Sequence, residues 1–352
     1  MSLLEEKKIL ITGGTGSLGR ALTARLLKYD VKVIRIYSRD EAKQIAMEAQ
    51  FRDSRLRFLI GDIRDKDRLR RAMEDIDVVF HTAALKQVPV AEYNPMEAVK
   101  TNVYGAQNLI EACLDEEVEI ALAVGTDKAV SPLNTYGATK LLMEKLFTAA
   151  NFFKGNRKTI FTCVRYGNVL GSRGSVVPRL LEQVAKEGKI SLTNPEMTRF
   201  NITMDEALDL ILNSIKICKG AEAFVPKLKA YRLIDLASAI IEVLGDNVTI
   251  EKIPIRPGEK MHETLINENE ARNTLEIKDF YVIIPSPEIC QLFGINNTYS
   301  DAKKATLNGA YSSDKVPLMS KEELKKLLES EHLIQRELKN LLVGDYTSDA
   351  SS

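Results

Sequence analysis

The feature that most constrains this chain is a run of glycines set between an apolar strand pattern and an amphipathic one. Ile9-Leu10-Ile11-Thr12 leads straight into Gly13-Gly14-Thr15-Gly16-Ser17-Leu18-Gly19, and a helical pattern over Leu18–Tyr29 follows. Gly13, Gly16 and Gly19 stand at G-x-x-G-x-x-G spacing. A turn this tight needs residues without a Cβ, and the N–H groups of the helix N-terminus can then approach a pyrophosphate closely. Glycine spacing alone is a weak signal, but its placement between a strand and a helix makes it specific. Gly13, Thr15, Gly16, Ser17, Leu18 and Gly19 are the expected dinucleotide cradle.

The same alternation continues through the first half. Strand patterns at Lys8–Thr12, Lys32–Tyr37, Leu56–Ile60, Val78–His81, Ile120–Gly125 and Phe161–Arg165 are separated by helical ones such as Lys66–Met73 and Gly105–Glu116. Near-continuous apolar strands suit a parallel sheet covered on both faces. After about Gly171 the rhythm changes, and helices over Val177–Glu187, Thr203–Cys218 and Leu233–Val243 dominate. A chain of 352 residues exceeds what one core usually serves. The expected fold class is α/β, a Rossmann-type doubly wound parallel sheet with a smaller C-terminal α/β substrate lobe. Residues 1–170 form the dinucleotide domain and 171–330 the substrate lobe, with some segments returning to the first; 331–352 are an extension. Ser320 and Glu323 fit a capping box for a helix reaching Leu342, with Leu324, Leu327, Leu328, Leu338, Leu341 and Leu342 on its apolar face. That face docks on its own domain or serves an oligomer contact.

Composition excludes several function classes. The 49 basic and 49 acidic side chains cancel, leaving no bulk field for nucleic acid or anionic lipid. No stretch approaches the roughly 18 apolar residues that span a bilayer. The opening residues are too polar for a secretory signal, so a cytoplasmic enzyme is expected. Cys113, Cys163, Cys218 and Cys290 show no C-x-x-C spacing, and His81, His262 and His332 form no ligand pair, so no metal is expected.

The second strand ends Tyr37-Ser38-Arg39-Asp40, with Lys43 one turn on. Arg39 and Lys43 suit a clamp for a ribose 2′-phosphate and Ser38 can donate to it, which favours NADP; Asp40 keeps NAD open as the alternative. Asp62 can accept from the adenine amino group, with Ile63 beside it. Ala83 and Ala84 leave room for the centre of the cofactor, and Lys86 is expected to line the pocket near cofactor and sugar.

The fifth strand leads into Gly125-Thr126-Asp127-Lys128, and Tyr136 and Lys140 follow at i and i+4 on one helix face. A nearby ammonium favours tyrosinate, lowering the pKa of Tyr136 toward one useful for proton transfer. Lys140 can also hold the nicotinamide ribose.

With these residues in place, the chain resembles the extended short-chain dehydrogenase/reductase superfamily. More narrowly, it resembles the soluble UDP-N-acetylglucosamine 4,6-dehydratases of polysaccharide and flagellin-sugar biosynthesis. The narrowing residues are Ser38-Arg39-Asp40, Ala84-Leu85-Lys86-Gln87-Val88-Pro89, Glu92-Tyr93-Asn94-Pro95, Thr126-Asp127-Lys128-Ala129, Arg165-Tyr166-Gly167-Asn168-Val169-Leu170-Gly171-Ser172 and Arg256-Pro257-Gly258-Glu259-Lys260. The resemblance implies Thr126 on the C4 oxygen, Tyr136 as the C4 base, Lys128 as the C5 base and Asp127 as the acid for C6. It places Asn168 near the diphosphate of a UDP-sugar. Arg173, Ser175 and Val176 are expected to wrap the nucleotide, Arg199 and Arg256 to meet phosphate oxygens, and Glu259 to accept from the uridine ribose. The resemblance also implies a homo-oligomer. A UDP-sugar 4-epimerase is the alternative on the same scaffold, and a non-catalytic NADP-binding regulatory protein the alternative from another class.

Overall fold

The computed structural model describes residues 3–172, 174–245, 248–296, 298–331 and 333–335. The chain divides into two compact units. The first runs to Tyr166 and takes up Met204–Lys227 and Thr264–Tyr311; the second holds Gly167–Thr203, Leu228–Glu263 and the chain from Ser312 on.

The first unit is built on strands β1 (Lys8–Thr12), β2 (Val33–Ser38), β3 (Leu56–Ile60), β4 (Val78–His81), β5 (Ile120–Val124) and β6 (Ile160–Val164). The returning segments add β7 (Ala223–Pro226), β8 (Thr274–Ile277), β9 (Phe280–Ile283) and β10 (Lys303–Lys304). They form one ten-stranded sheet in the order β10-β8-β9-β7-β6-β5-β4-β1-β2-β3. Strands β1 to β7 run parallel, and β9, β8 and β10 extend the β7 edge antiparallel. The strand order reverses between β1 and β4, the switch point at which open α/β sheets bind ligands.

Helices α1 (Ser17–Leu26), α2 (Glu41–Phe51), α3 (Lys66–Met73), α4 (Gly105–Asp115), α5 (Thr135–Phe153) and α6 (Met204–Ile217) belong to this unit. Asp40, Asp65 and Asn134 start α2, α3 and α5 by accepting from backbone N–H groups of their first turns. Leu10, Val79, Ala121 and Phe161 of the sheet pack with Leu69, Leu109, Ile110, Met143 and Phe147 in one apolar cluster. Each such buried side chain contributes about 2 kcal/mol, which anchors α5 on the sheet. A π-helical turn, Lys100–Tyr104, joins the short helix Pro95–Val99 to α4.

In the second unit, Thr198–Ile202 pairs antiparallel with Ala230–Arg232 and parallel with Asn168–Val169. Lys189–Leu192 pairs parallel with Thr249–Lys252. Helices Val176–Glu187, Leu233–Leu244 and Lys321–Ser330 enclose a core that includes Leu180, Leu181, Ile190, Leu236, Ile240, Leu324 and Leu328. The Ser320–Glu323 capping box is present, and its helix docks on its own unit. Leu338, Leu341 and Leu342 lie outside the described residues. The helix expected over Thr203–Cys218 in the smaller lobe instead belongs to the first unit, because the strand that follows it, β7, pairs with β6.

Candidate active site

The β1–α1 turn is as tight as its glycines allow. Gly13 sits at φ +67, where a Cβ would lie 2.8 Å from both N and Cα of Ala83. At Gly19 a Cβ would come within 2.5 Å of the Gly14 backbone, so α1 packs directly on the turn. Gly13 N donates to Tyr37 O at 2.8 Å and Gly16 N to Gly13 O at 2.9 Å, which fixes the loop. Gly16 is the N-cap of α1, with Ser17 and Leu18 in the first turn and Thr15 buried beside it.

At the end of β2, the Asp40 carboxylate accepts from Lys43 N at 3.0 Å and pairs with Lys43 Nζ. Arg39 is largely exposed and faces Asp62 at 3.5 Å. Arg64 holds Asp62 more firmly, through Nη2 at 2.7 Å and Nε at 3.0 Å. Burial pushes the Asp62 carboxyl upward, but the hydrogen bonds and charge of Arg64, with Arg39, outweigh it and hold the pKa below its ordinary value. Ser38 Oγ accepts from Gln44 Nε2 at 3.0 Å. Ile63 is buried against Gly105.

The catalytic candidates gather where β5 meets the start of α5. Asp127, Lys128 and Ala129 form one short helical turn, and Thr126 Oγ1 accepts from Lys128 N at 3.4 Å. Thr126 Oγ1 donates to Asp127 Oδ1 at 2.9 Å, and Lys128 Nζ reaches the same oxygen at 3.1 Å. A Cβ on Gly137 would collide with the Lys128 carbonyl, so this glycine lets the turn settle onto the first turn of α5. Tyr136, on that turn, is hydrogen-bonded to Thr126. Thr126, Asp127, Lys128 and Tyr136 therefore form one cluster. Lys140, one turn on, is buried, with Nζ 2.9 Å from Met143 Sδ.

The electrostatics differ from the sequence expectation. Burial pushes Tyr136 up to about 12, against the Lys128 ammonium and the Thr126 hydrogen bond, which both pull it down; Asp127 and Glu144 add to the rise. The Lys128 ammonium is thus a cation that favours the tyrosinate. Burial brings Lys140 down to about 8, with Glu144 opposing the shift. The pKa of Lys86 is also lowered, by burial first and then by the charge of Lys128, which brings the two cations into one neighbourhood.

Two contributors were missed in the sequence. Asn102, in the π-helical turn, accepts from Leu85 N at 2.8 Å and donates to Leu85 O and Thr139 Oγ1, both at 3.0 Å. It ties the Leu85–Lys86 segment to α5. Glu144 repeats the spacing of Tyr136 and Lys140 once more and is buried, a periodicity that could have revealed it.

In the second unit, Arg199 is buried and its guanidinium turns inward. It donates to the carbonyls of Thr198 at 2.7 Å, Lys260 at 3.0 Å and Met261 at 3.1 Å. Glu259 lies 3.8 Å from Arg199 and closes the Arg256–Glu259 turn, its Oε2 accepting from Arg256 N at 3.4 Å. Arg199 therefore has a scaffolding role: buried carbonyls need donors, and its fork supplies them. Asn168 stands opposite Asn201 in the strand register. Ser175 and Val176 begin the helix that ends at Glu187. Arg173 lies outside the described residues.

Among the described residues, no group of His, Cys, Asp and Glu could hold a metal ion, and no helix is long and apolar enough to cross a membrane. Residues 9–285 match the family described as polysaccharide biosynthesis protein. The UDP-N-acetylglucosamine 4,6-dehydratase (inverting) of Campylobacter jejuni is 46% identical over 334 residues, covering 93% of this chain and 98% of that protein. The UDP-glucose 4-epimerase of Rickettsia felis is 38% identical over 344 residues, covering 95% of this chain and 99% of that protein. Among solved structures, Pen from Bacillus thuringiensis superposes with a TM-score of 0.88 at 43% identity, covering 94% of this chain and 99% of that one.

Proposed function

Because the chain belongs to the polysaccharide biosynthesis protein family, we propose that it is a UDP-N-acetylglucosamine 4,6-dehydratase, with inversion at C5 as in the name of its Campylobacter relative. The observation that carries this reading is the cluster in which Asp127 and Lys128 lie with Thr126 against Tyr136. Epimerisation at C4 needs a base for the C4 hydroxyl and nothing at C5 or C6. A dehydratase needs an additional base and acid beside the same ring, and these two residues have that chemistry.

The β1–α1 turn fits a nicotinamide dinucleotide, since its glycines let the backbone close directly onto the N-terminus of α1, whose first-turn N–H groups suit a pyrophosphate. NADP is the preferred form. Asp40 is committed to Lys43 and to capping α2, so it is not directed at a ribose hydroxyl, and Arg39 is exposed at the strand end. Bound, the nicotinamide supplies acceptance of hydride from C4 and its return to C6.

The chain's own residues handle the protons. Tyr136 takes the C4 hydroxyl proton while Thr126 hydrogen-bonds the C4 oxygen. Lys128 then removes the proton at C5, which the neighbouring ketone acidifies. Asp127 gives a proton to the C6 hydroxyl, which leaves as water. Lys86 lines the sugar end, and Asn168, Arg173, Ser175, Val176, Arg256 and Glu259 hold the UDP portion. C5 takes back a proton on the face opposite the one Lys128 stripped, which inverts it and balances the proton left on Tyr136, and the product is a UDP-4-keto-6-deoxy-N-acetylhexosamine.

The relative named as an epimerase motivates the second reading. Mass spectrometry of UDP-N-acetylglucosamine after incubation with the protein and catalytic NADP separates the two. Loss of one water supports the dehydratase, whereas unchanged mass with a shifted chromatographic peak establishes the epimerase and overturns the proposal.

A further inference from the structure

On α5, Tyr136, Lys140 and Glu144 follow at successive i+4 positions and share one buried face, 9%, 3% and 5% exposed. The Glu144 carboxylate is gripped by Arg165, which follows β6: Nη2 donates to Oε2 at 2.7 Å and Nε faces Oε1 at 3.4 Å. The same guanidinium donates to Glu270, Nη1 to Oε2 and Nη2 to Oε1, both at 3.0 Å, and through Nη1 to the Leu265 carbonyl at 2.8 Å. Burying such a group is no gain over apolar residues of the same shape, because the ions lose their hydration. Its presence under the candidate catalytic helix therefore points to a role other than stability.

Charge supplies the role. One guanidinium between two carboxylates leaves a formal charge of minus one; Lys145 acts on the Glu270 side, and the Lys140 ammonium, one turn from Glu144, meets the charge of Glu144. His81 on β4 and Cys163 on β6 also face Lys140, but both are neutral. Burial brings the imidazole down to about 3 and drives the thiol up. Glu144 is thus the carboxylate acting on Lys140 among the described residues. It also braces the strand end that feeds Thr126, since a Cβ on Gly125 would collide with Glu144 Oε1.

We propose that Glu144 is a positioning residue of the hydride-transfer site, locked by Arg165 so that it supplies the counter-charge to Lys140 and braces Gly125. The inference rests on the reading of Tyr136 and Lys140 as the hydride-transfer pair. The electrostatic part is tested without activity, by competitive acetic anhydride labelling of the full chain across pH, with Lys140 read by peptide mass spectrometry. In Glu144→Gln the half-labelling pH of Lys140 falls by about one unit, because the buried carboxylate that opposes its desolvation is gone. Glu270→Gln strips a carboxylate from the same guanidinium but leaves the Lys140 titration in place. An unchanged Lys140 titration in Glu144→Gln, or an equal shift in both variants, overturns the proposal.

Should Glu144→Gln not fold, Glu144→Met, which leaves Arg165 paired with Glu270, carries the same expectation and the same refutation. With UDP-N-acetylglucosamine as substrate, the alkaline limb of kcat moves to lower pH in Glu144→Gln and not in Glu270→Gln. A protein that labels as expected but dehydrates nothing refutes the reaction assigned above and leaves the Glu144–Lys140 coupling standing.

Discussion

Replacing Asn102 by alanine tests whether the loop carrying Lys86 is held by α5 or merely lies near it. Asn102 is 1% exposed, and its amide spans this junction: it accepts from Leu85 N at 2.8 Å and donates to Leu85 O and Thr139 Oγ1 at 3.0 Å. Thr139 loses little, since its hydroxyl still donates to Tyr136 O at 2.9 Å. Leu85 loses partners for both its N–H and its C=O, and an unsatisfied buried group costs about 1–3 kcal/mol. Leu85 is only half-buried, so water recovers part of that loss and the sum falls near 3 kcal/mol. Because about 1.4 kcal/mol corresponds to a factor of ten, local opening around Leu85 becomes about 100-fold more frequent. Hydrogen exchange read by mass spectrometry on a peptide spanning residues 82–90 shows this directly, with a peptide from β6 as internal control. The KM for the UDP-sugar rises in parallel, because Lys86 is no longer held. Leu85 protection unchanged within a factor of about three would refute the reasoning and leave Asn102 a passive filler of the π-helical turn.

Gly13→Ala places a Cβ at φ +67 and 2.8 Å from the Ala83 backbone; strain and overpacking of about 3 kcal/mol weaken dinucleotide binding about 100-fold, read by NADPH fluorescence titration. Arg39→Ala weakens NADP about tenfold or more while sparing NAD; equal loss for both dinucleotides contradicts the 2′-phosphate role. Lys128→Met removes the ammonium that opposes the burial holding Tyr136 at about 12. The acid limb of C4 oxidation, read as NADPH formed in a single turnover, then moves up by about one unit, and solvent deuterium no longer enters at C5; a full C5 exchange rate removes Lys128 as the base. Burial raises the Glu222 carboxyl from an ordinary 4.5 to about 7. The folded state therefore binds this proton more tightly, and the associated stability, complete below the unfolded value, is lost as pH rises through about 7. Between pH 6 and 8 (about the span of that loss) the thermal midpoint of Glu222→Gln should fall less than that of the parent, and an equal fall refutes the assignment.

The parts of this molecule legible in the sequence are those governed by local rules. Strands β1 and β4 lie where the apolar run puts them, because a strand buried on both faces has no other reading; the half-exposed edge strand β3 and the amphipathic helix α3 also lie where their patterns put them. The glycine turn was legible because its Cβ-free positions answer to the backbone alone. Long-range pairing was not. The apolar Ala223–Pro226 segment carries no mark that it will join β6 rather than the smaller unit, and α6 was misplaced with it. Side-chain direction was also hidden. Arg199 reads as a phosphate ligand, and its carbonyl partners at Lys260 and Met261, some sixty residues on, carry no mark in the sequence. Tyr136 shows the same limit in electrostatics. Spacing identified Lys140 as its neighbour, but the turn that brings Lys128 over α5 depends on a tertiary contact at Gly137.

The Asp127–Lys128 contact bears on dehydration in a further way. As an ion pair, the two residues hold their proton on the wrong partner: elimination needs a free amine at C5 and a protonated carboxyl at C6. At 3.1 Å, one transfer along the Lys128 Nζ–Asp127 Oδ1 contact produces both forms at once. In a dry site the neutral pair competes with the ionic one, because two separate charges are costly there. Asp127 is already 1% exposed, and a sugar over Lys128 would take the remaining water away. Each turnover would then restore the ion pair, since Lys128 gains the C5 proton as Asp127 loses its own to the departing hydroxyl. An epimerase draws nothing from this arrangement, yet the fold still bears the desolvation of a carboxylate at the end of β5. That asymmetry favours elimination as the chemistry for which the pair is placed.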